Sequence, residues 1–368
     1  MNPIRLVFDM KPAFFLQFRN WTAAMGLALL AAACSPGSDS SSSQTDASAS
    51  QEIGPDHIEV ALNFETGMRY IFGYDMTYEI DFGEALGAVM PEGQGASQSQ
   101  QYAISVVEDS ASGGKLLEFE FHRNKIDMNL GGMQSSYDSD QPIDPNDPSS
   151  IMFEPFGKTI GKIIKLEIDE NNKVISMSGI DELRDEILES TPPQIAGMAN
   201  GMFSKVYVEN MTITSGLPPQ AVKPGDSWPS NISQNLGVLG TFIADYQFQF
   251  KKIENHEGVD CAQIAFSGTI RGKPNKEDEG GIGQMMDITG GSSYGKHWFD
   301  PNLGQFTDSS VQLDMKMKMT VPGLPAEAMQ DGGLTVVISQ KLRRKLIRVE
   351  PIESPEAVEE TVEETSKN

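Results

Sequence analysis

The sequence predicts a mainly β fold. It consists of two tandem antiparallel β-meander halves forming a curved sheet or partial barrel, with one or two short helices between them. Three observations predict it. Runs such as Val311-Gln312-Leu313-Asp314-Met315-Lys316-Met317-Lys318-Met319 and Leu117-Glu118-Phe119-Glu120-Phe121 alternate strictly between apolar and polar residues. That is the period of a strand with one dry and one wet face. Such alternation belongs to antiparallel sheet, because parallel strands covered on both faces are continuously apolar. Asx-, Pro- and Gly-rich clusters separate the runs, and one segment of helical period lies between two blocks of strands.

At the N-terminus, residues 22–33 are small and aliphatic, with Arg19 before them. This is the plan of a secretory signal, and the segment is too short to span a bilayer as a helix. Leu30-Ala31-Ala32-Ala33-Cys34 resembles the lipobox of bacterial lipoproteins, with Ala31 where Leu is usual. The resemblance implies cleavage after residue 33 and a lipid on Cys34. Residues 34–54 are Ser-rich and read as a flexible tether, since nothing in them can supply a core. The expected address is the cell envelope. The chain would be anchored to a membrane through the lipid on Cys34, and Ser35 points to the periplasmic face of an outer membrane by resemblance to lipoprotein sorting patterns.

The first β half is expected over residues 55–216. Its strands include 102–107, 116–126, 163–168 and 174–177, with turns at Asp109–Gly114 and Asp169–Lys173. Ile180, Leu183 and Ile187 share a helical face over residues 180–190, and Thr191-Pro192-Pro193 ends that helix. A looser helical stretch is expected over 194–203. The second half, 217–350, repeats the pattern with strands at 244–253, 262–270, 294–299 and 305–319. Residues 351–368 read as an acidic disordered tail, which belongs to a solvated end.

The charge excludes one class of partner. The formal net charge is −24, and a surface of that sign repels nucleic-acid phosphates. No cofactor or metal motif is readable. The four histidines, His57, His122, His256 and His297, lie at no ligand spacing. Asp138, Asp140, Asp144 and Asp147 form an acidic run without the Gly and closing Glu of a calcium loop. Gly280-Gly281-Ile282-Gly283 has no strand–turn–helix context and reads as linker. Cys261 sits in a strand-like run and reads as a small buried residue. No catalytic residue is assigned. An enzyme would need a cleft that gathers groups such as His297, Asp300 and Asp138.

Six stretches resemble an uncharacterised family of bacterial envelope proteins, domain of unknown function 6263. They are residues 67–76, Tyr137-Asp138-Ser139-Asp140, residues 163–177, Gly201-Met202-Phe203, Leu217-Pro218 with Gly225-Asp226-Ser227-Trp228, and Trp298-Phe299-Asp300 through Gly304. The resemblance implies a secreted or lipid-anchored β-rich domain with no known activity. Gly225, Asp226, Ser227 and Trp228 read as a structural motif, a turn followed by a large buried ring. The expected function is non-enzymatic. One reading binds an apolar small molecule between curved sheets, with Met315, Met317, Phe248 and Phe250 on the concave face. The alternative is a scaffold that binds another envelope protein.

Overall fold

A computed structural model describes residues 57–83, 94–130, 133–142, 144, 153, 155–191, 203–212, 216–235, 241–273, 286–320 and 333–352. Within them the chain builds one twelve-stranded antiparallel sheet that does not close. The first block is β1 (Met68–Asp81), β2 (Gly95–Asp109), β3 (Lys115–Leu130), β4 (Met133–Asp138), β5 (Ile163–Ile168) and β6 (Val174–Ser178). Two helices follow, α1 (Ile180–Ser190) and α2 (Lys205–Thr212). The second block is β7 (Ser227–Asn235), β8 (Thr241–His256), β9 (Val259–Lys273), β10 (Met286–Asp300), β11 (Gln305–Met319) and β12 (Leu334–Pro351). The strand order is β6-β5-β3-β2-β1-β12-β11-β10-β9-β8-β7, with β4 paired to β3. The fold is therefore mainly β and meandering, with α1 and α2 between the two blocks. Among the described residues no helix is long and apolar enough to cross a membrane.

The blocks join edge to edge. β1 pairs with β12 from Met68↔Pro351 to Asp81↔Val337, so the first and last strands seal a single sheet. Alternation gives that sheet an inner and an outer face. In β1, Tyr70, Phe72, Tyr74, Met76, Tyr78 and Ile80 are buried while Asp75, Thr77, Glu79 and Asp81 are exposed. The inner residues of all strands except β6, together with both helices, form one hydrophobic cluster.

Turn chemistry fixes the register. Glu257 and Gly258 both have positive φ, the two-residue hairpin geometry that suits strand twist, and they join His256 to its partner Val259. Asp169 Oδ1 accepts hydrogen bonds from the backbone of Asn171 (2.9 Å) and Lys173 (2.8 Å), closing the β5–β6 turn. Between β10 and β11, Gly304 has φ +66°, and a Cβ there would meet Asn63 Cβ at 2.5 Å. No other residue fits that approach without displacing the segment before β1.

The two meander halves are continuous through β1 and β12, so together they form the one curved sheet that the sequence predicts. The helical stretch expected over 194–203 lies, apart from Phe203, outside the described residues, and α2 begins after it at Lys205. Ser204 caps the helix, its Oγ accepting from Tyr207 N at 3.2 Å. Burial of Tyr207, Val208 and Met211 then holds a sequence whose own propensity favours strand.

Candidate functional site

The inner face is ordered in layers set by the cross-strand register. One row runs Gln100, Tyr74, Arg344, Ser309 and His297 across β2, β1, β12, β11 and β10. Four residues further along the strands, a row runs Ala96, Tyr78, Gln340, Leu313 and Ser293. Beyond it the inner face is mostly apolar or small, with Ile80, Ile338, Met315 and Gly291 and then Val336, Met317 and Ile288, while Gln94 is buried opposite Ile80. The sheet interior thus has a polar waist beside an apolar end. Five methionines are buried on this face: Met76, Met128, Met315, Met317 and Met319. Their flexible thioether side chains adapt to the shape of whatever they contact.

Aromatic ladders flank the waist. On the β7–β11 side, Trp228 stacks on Phe248 (5.8 Å between centroids), Phe248 meets Phe266 (5.3 Å), and Phe266 stacks on His297 (4.9 Å). On the other side Phe72 stacks on Tyr102 (5.4 Å) and Tyr102 on Phe119 (5.0 Å). Arg344 stands between the ladders, its guanidinium 4.1 Å from the centre of the Phe72 ring. Helix α2 docks on the waist through two hydrogen bonds. Tyr207 Oη donates to Gln100 Oε1 at 2.7 Å, and Tyr102 Oη donates to Met211 O at 3.0 Å.

Tyr78 Oη and Gln100 Nε2 are among the waist's polar atoms that are buried without a hydrogen-bond partner among the described residues. Each such group costs about 1–3 kcal/mol. Burial pushes the Tyr78 hydroxyl strongly upward, so it stays a neutral donor. Sequence reasoning missed both residues. Residues 97–101 read Ser-Gln-Ser-Gln-Gln, and only the pairing of Tyr102 and Ile104 decides which of these side chains point inward.

The residues singled out from sequence lie as follows. Met315, Met317, Phe248 and Phe250 all sit on the inner face and are buried. Gly225 has φ +100°, Asp226 Oδ2 accepts from Lys223 N at 2.9 Å, and Trp228 donates from Nε1 to Gly216 O at 2.8 Å. Ser227 opens β7 opposite Gln249. Cys34 and Gly280–Gly283 lie outside the described residues. Cys261 is buried beside Thr307, and burial raises its thiol, which disfavours a reactive thiolate.

His297, Asp300 and Asp138 are not gathered into a cleft. His297 is buried among Phe266 and Phe306, with Nδ1 2.9 Å from Ser309 Oγ. Asp300 caps its own turn, accepting from Asn302 N at 2.8 Å. Asp138, on β4 at the far block, binds Arg123, which also binds Asp140 at 2.9 Å. That ion pair takes up the two carboxylates a cation would need.

Among the described residues His256, Glu257 and Asp308 lie within mutual ligand reach. Their carboxylates are already matched. Arg343 Nη2 is 2.6 Å from Asp308 Oδ2, and Lys345 Nζ is 2.6 Å from Glu257 Oε2. A divalent ion there would have to displace two fixed cations, so the chemistry of the set is that of an ion-pair cluster.

No curated protein matches the chain. A solved structure described as lipid-protein interactions in lipovitellin is similar at a TM-score of 0.41 and 11% identity, covering 79% of this chain and 26% of that one. The chain spans about a quarter of that protein's length, and a likeness so slight bears on neither ligand nor role. Residues 112–304, a little more than half of the chain, match the family of unknown function DUF6263, and the chain belongs to that family.

Proposed function

We propose that this protein is a non-enzymatic, lipid-tethered envelope protein that holds an amphiphilic ligand against the inner face of its open sheet. The observation that carries the reading is the layered interior. Buried, unpartnered Tyr78 Oη and Gln100 Nε2 lie at a polar waist beside a methionine-rich apolar end. Buried polar atoms normally find partners, and a ligand headgroup would supply them. Its apolar part would lie toward Met315, Met317 and Met319. The lipid on Cys34 and the Ser-rich tether would keep the domain at a membrane while leaving it free to turn.

The test is native mass spectrometry of the Cys34→Ala chain purified without detergent, followed by extraction. A bound amphiphile that is released on denaturation is the expected result. Tyr78→Phe with Gln100→Leu should change the headgroup class retained. A folded, empty protein in every preparation would refute the reading and favour the scaffold alternative.

A further inference from the structure

The outer face carries a second feature, whose lining also includes the inner residues Phe266, Val311 and Leu342. A groove of about 590 Å³ crosses β10, β11, β12 and β1 there. That volume falls within the range of small-molecule sites. Its shape follows from register. β11 presents the short Ser310 and Gln312, while β10 on one side presents Tyr294, Lys296 and Trp298. β12 on the other side presents Lys341 and Arg343. Short side chains between longer ones make a trough along the central strand. Tyr294, Gln312 and Lys341 share one cross-strand row, and Lys296, Ser310 and Arg343 share the next.

The walls differ in how firmly they are held. Arg343 makes a fork to Asp308, through Nε at 3.1 Å and Nη2 at 2.6 Å, and Asp308 is 3% exposed. His256 bonds the same carboxylate at 3.2 Å and stacks on Trp298 at 4.2 Å between centroids. Trp298 in turn donates to Glu254 at 3.4 Å. One end of the groove is therefore rigid. Lys296 and Lys341 are different: among the described residues neither ammonium has an ion-pair or hydrogen-bond partner. Tyr294 is 47% exposed, with its ring on the same face.

We infer that this groove is a binding site for a short anionic saccharide. The groove's own carboxylate, Asp75, sits opposite Arg343 and accepts from Ser99 Oγ at 2.6 Å, so the two unpaired ammoniums, in a chain of net charge −24, still mark a local demand for one compact negative group, such as a carboxylate or phosphate. The same overall charge disfavours nucleic acid or an anionic bilayer, whose many charges would meet the acidic remainder of the surface. Tyr294 and Trp298 lie four residues apart on one strand, about 13 Å, with Lys296 between them. That spacing offers two ring faces to a chain of sugar rings and a cation between. Ser310, Gln312 and Thr77 supply hydroxyl and amide partners for sugar hydroxyls.

Titration calorimetry on the full chain tests this, using trigalacturonate, neutral maltotriose and inorganic phosphate as probes. Trigalacturonate should bind, and more weakly as salt rises. Maltotriose should bind about tenfold or more weaker, a difference of about 1.4 kcal/mol. Lys296→Gln with Lys341→Gln should weaken trigalacturonate about tenfold, with unchanged thermal unfolding, because both side chains are unpartnered. Tyr294→Ala should weaken the saccharide and spare phosphate. No heat with trigalacturonate, or binding indifferent to the lysine pair, would overturn the site. Phosphate binding as tightly as trigalacturonate, with Tyr294→Ala silent, would overturn the saccharide assignment.

Discussion

At the scale of residues, the interior shows how burial sets chemistry. Desolvation, with the Arg344 charge nearby, pushes His297 down to about 4 from its usual 6.5. The side chain is therefore neutral in the folded protein at pH 6, whereas in the unfolded chain it has begun to take a proton. The native state then loses stability as pH falls below about 6.5, and the loss is complete near pH 4. The total is about 3 kcal/mol by linkage. Asp308 acts in a lower window. Burial pushes it up, but hydrogen bonds from Arg343 and His256 outweigh that and hold it below its usual value. Its contribution is thus present above about pH 4 and is lost only on further acidification. His297→Phe keeps a ring in the stack with Phe266 and Phe306 but cannot titrate. Urea unfolding at several pH values should give the wild type a drop between pH 6.5 and 4.5 that the variant lacks. Parallel curves for the two proteins would contradict this. The Trp228 motif was legible at this scale, because a turn followed by a large ring is a local signal. Its partners Phe248 and Gly216 were not, because they are set by pairing and by a loop return.

At the scale of elements, what could be read depended on whether the period was clean. β11 and β3 were legible because Val311–Met319 and Leu117–Phe121 within them alternate without a break. β12 was not: Lys341-Leu342-Arg343-Arg344-Lys345-Leu346-Ile347-Arg348 looks like a basic run, and only its place between β1 and β11 makes it a strand. The same strand turns Arg343 out to the groove and Arg344 in to the aromatic ladders. Helix α2 was not legible either. Its β-branched valines suggest a strand, while the one helical signal, Ser204 at the cap, is a single residue. Tertiary contacts decide the outcome, chiefly the bond from Tyr207 to Gln100. Tyr207→Phe removes that donor and leaves Gln100 Oε1 buried without it, a cost of about 1–3 kcal/mol. Hydrogen exchange should show faster opening of residues 205–212 with little change in β11 and β12, since local units open independently of the global transition. Uniform loss of protection across the sheet would show instead that α2 is part of the cooperative core.

At the scale of the whole molecule, the decisive contact joins the two ends of the folded chain. Each block alone would leave a long edge strand, β1 or β12, with unpaired backbone and half of a core. The sequence showed the two blocks through their repeated meanders, but not the β1–β12 seam. A strand's pattern reveals its faces and not its neighbours. That seam closes a loop of most of the chain before its first pair, Asp81↔Val337, can form. The ends it brings together are adjacent, with Ile352 N donating to Gly67 O at 2.8 Å. A circular permutant joined from Ile352 to Gly67 by a short flexible linker, and opened between Thr212 and Gly216, would turn the seam into a local hairpin. Shortening the closed loop about tenfold lowers its entropic cost by about 2 kcal/mol. If the seam forms before the rate-limiting step, as the need of both blocks for a covered edge argues, the permutant should refold roughly tenfold faster than the parent. Its native fold and its far-ultraviolet spectrum should be unchanged. Stopped-flow refolding measures the difference directly. Equal rates would mean that each block collapses on its own interior first and that the β1–β12 ladder zips only afterwards, which would make the halves independent folding units despite their shared sheet.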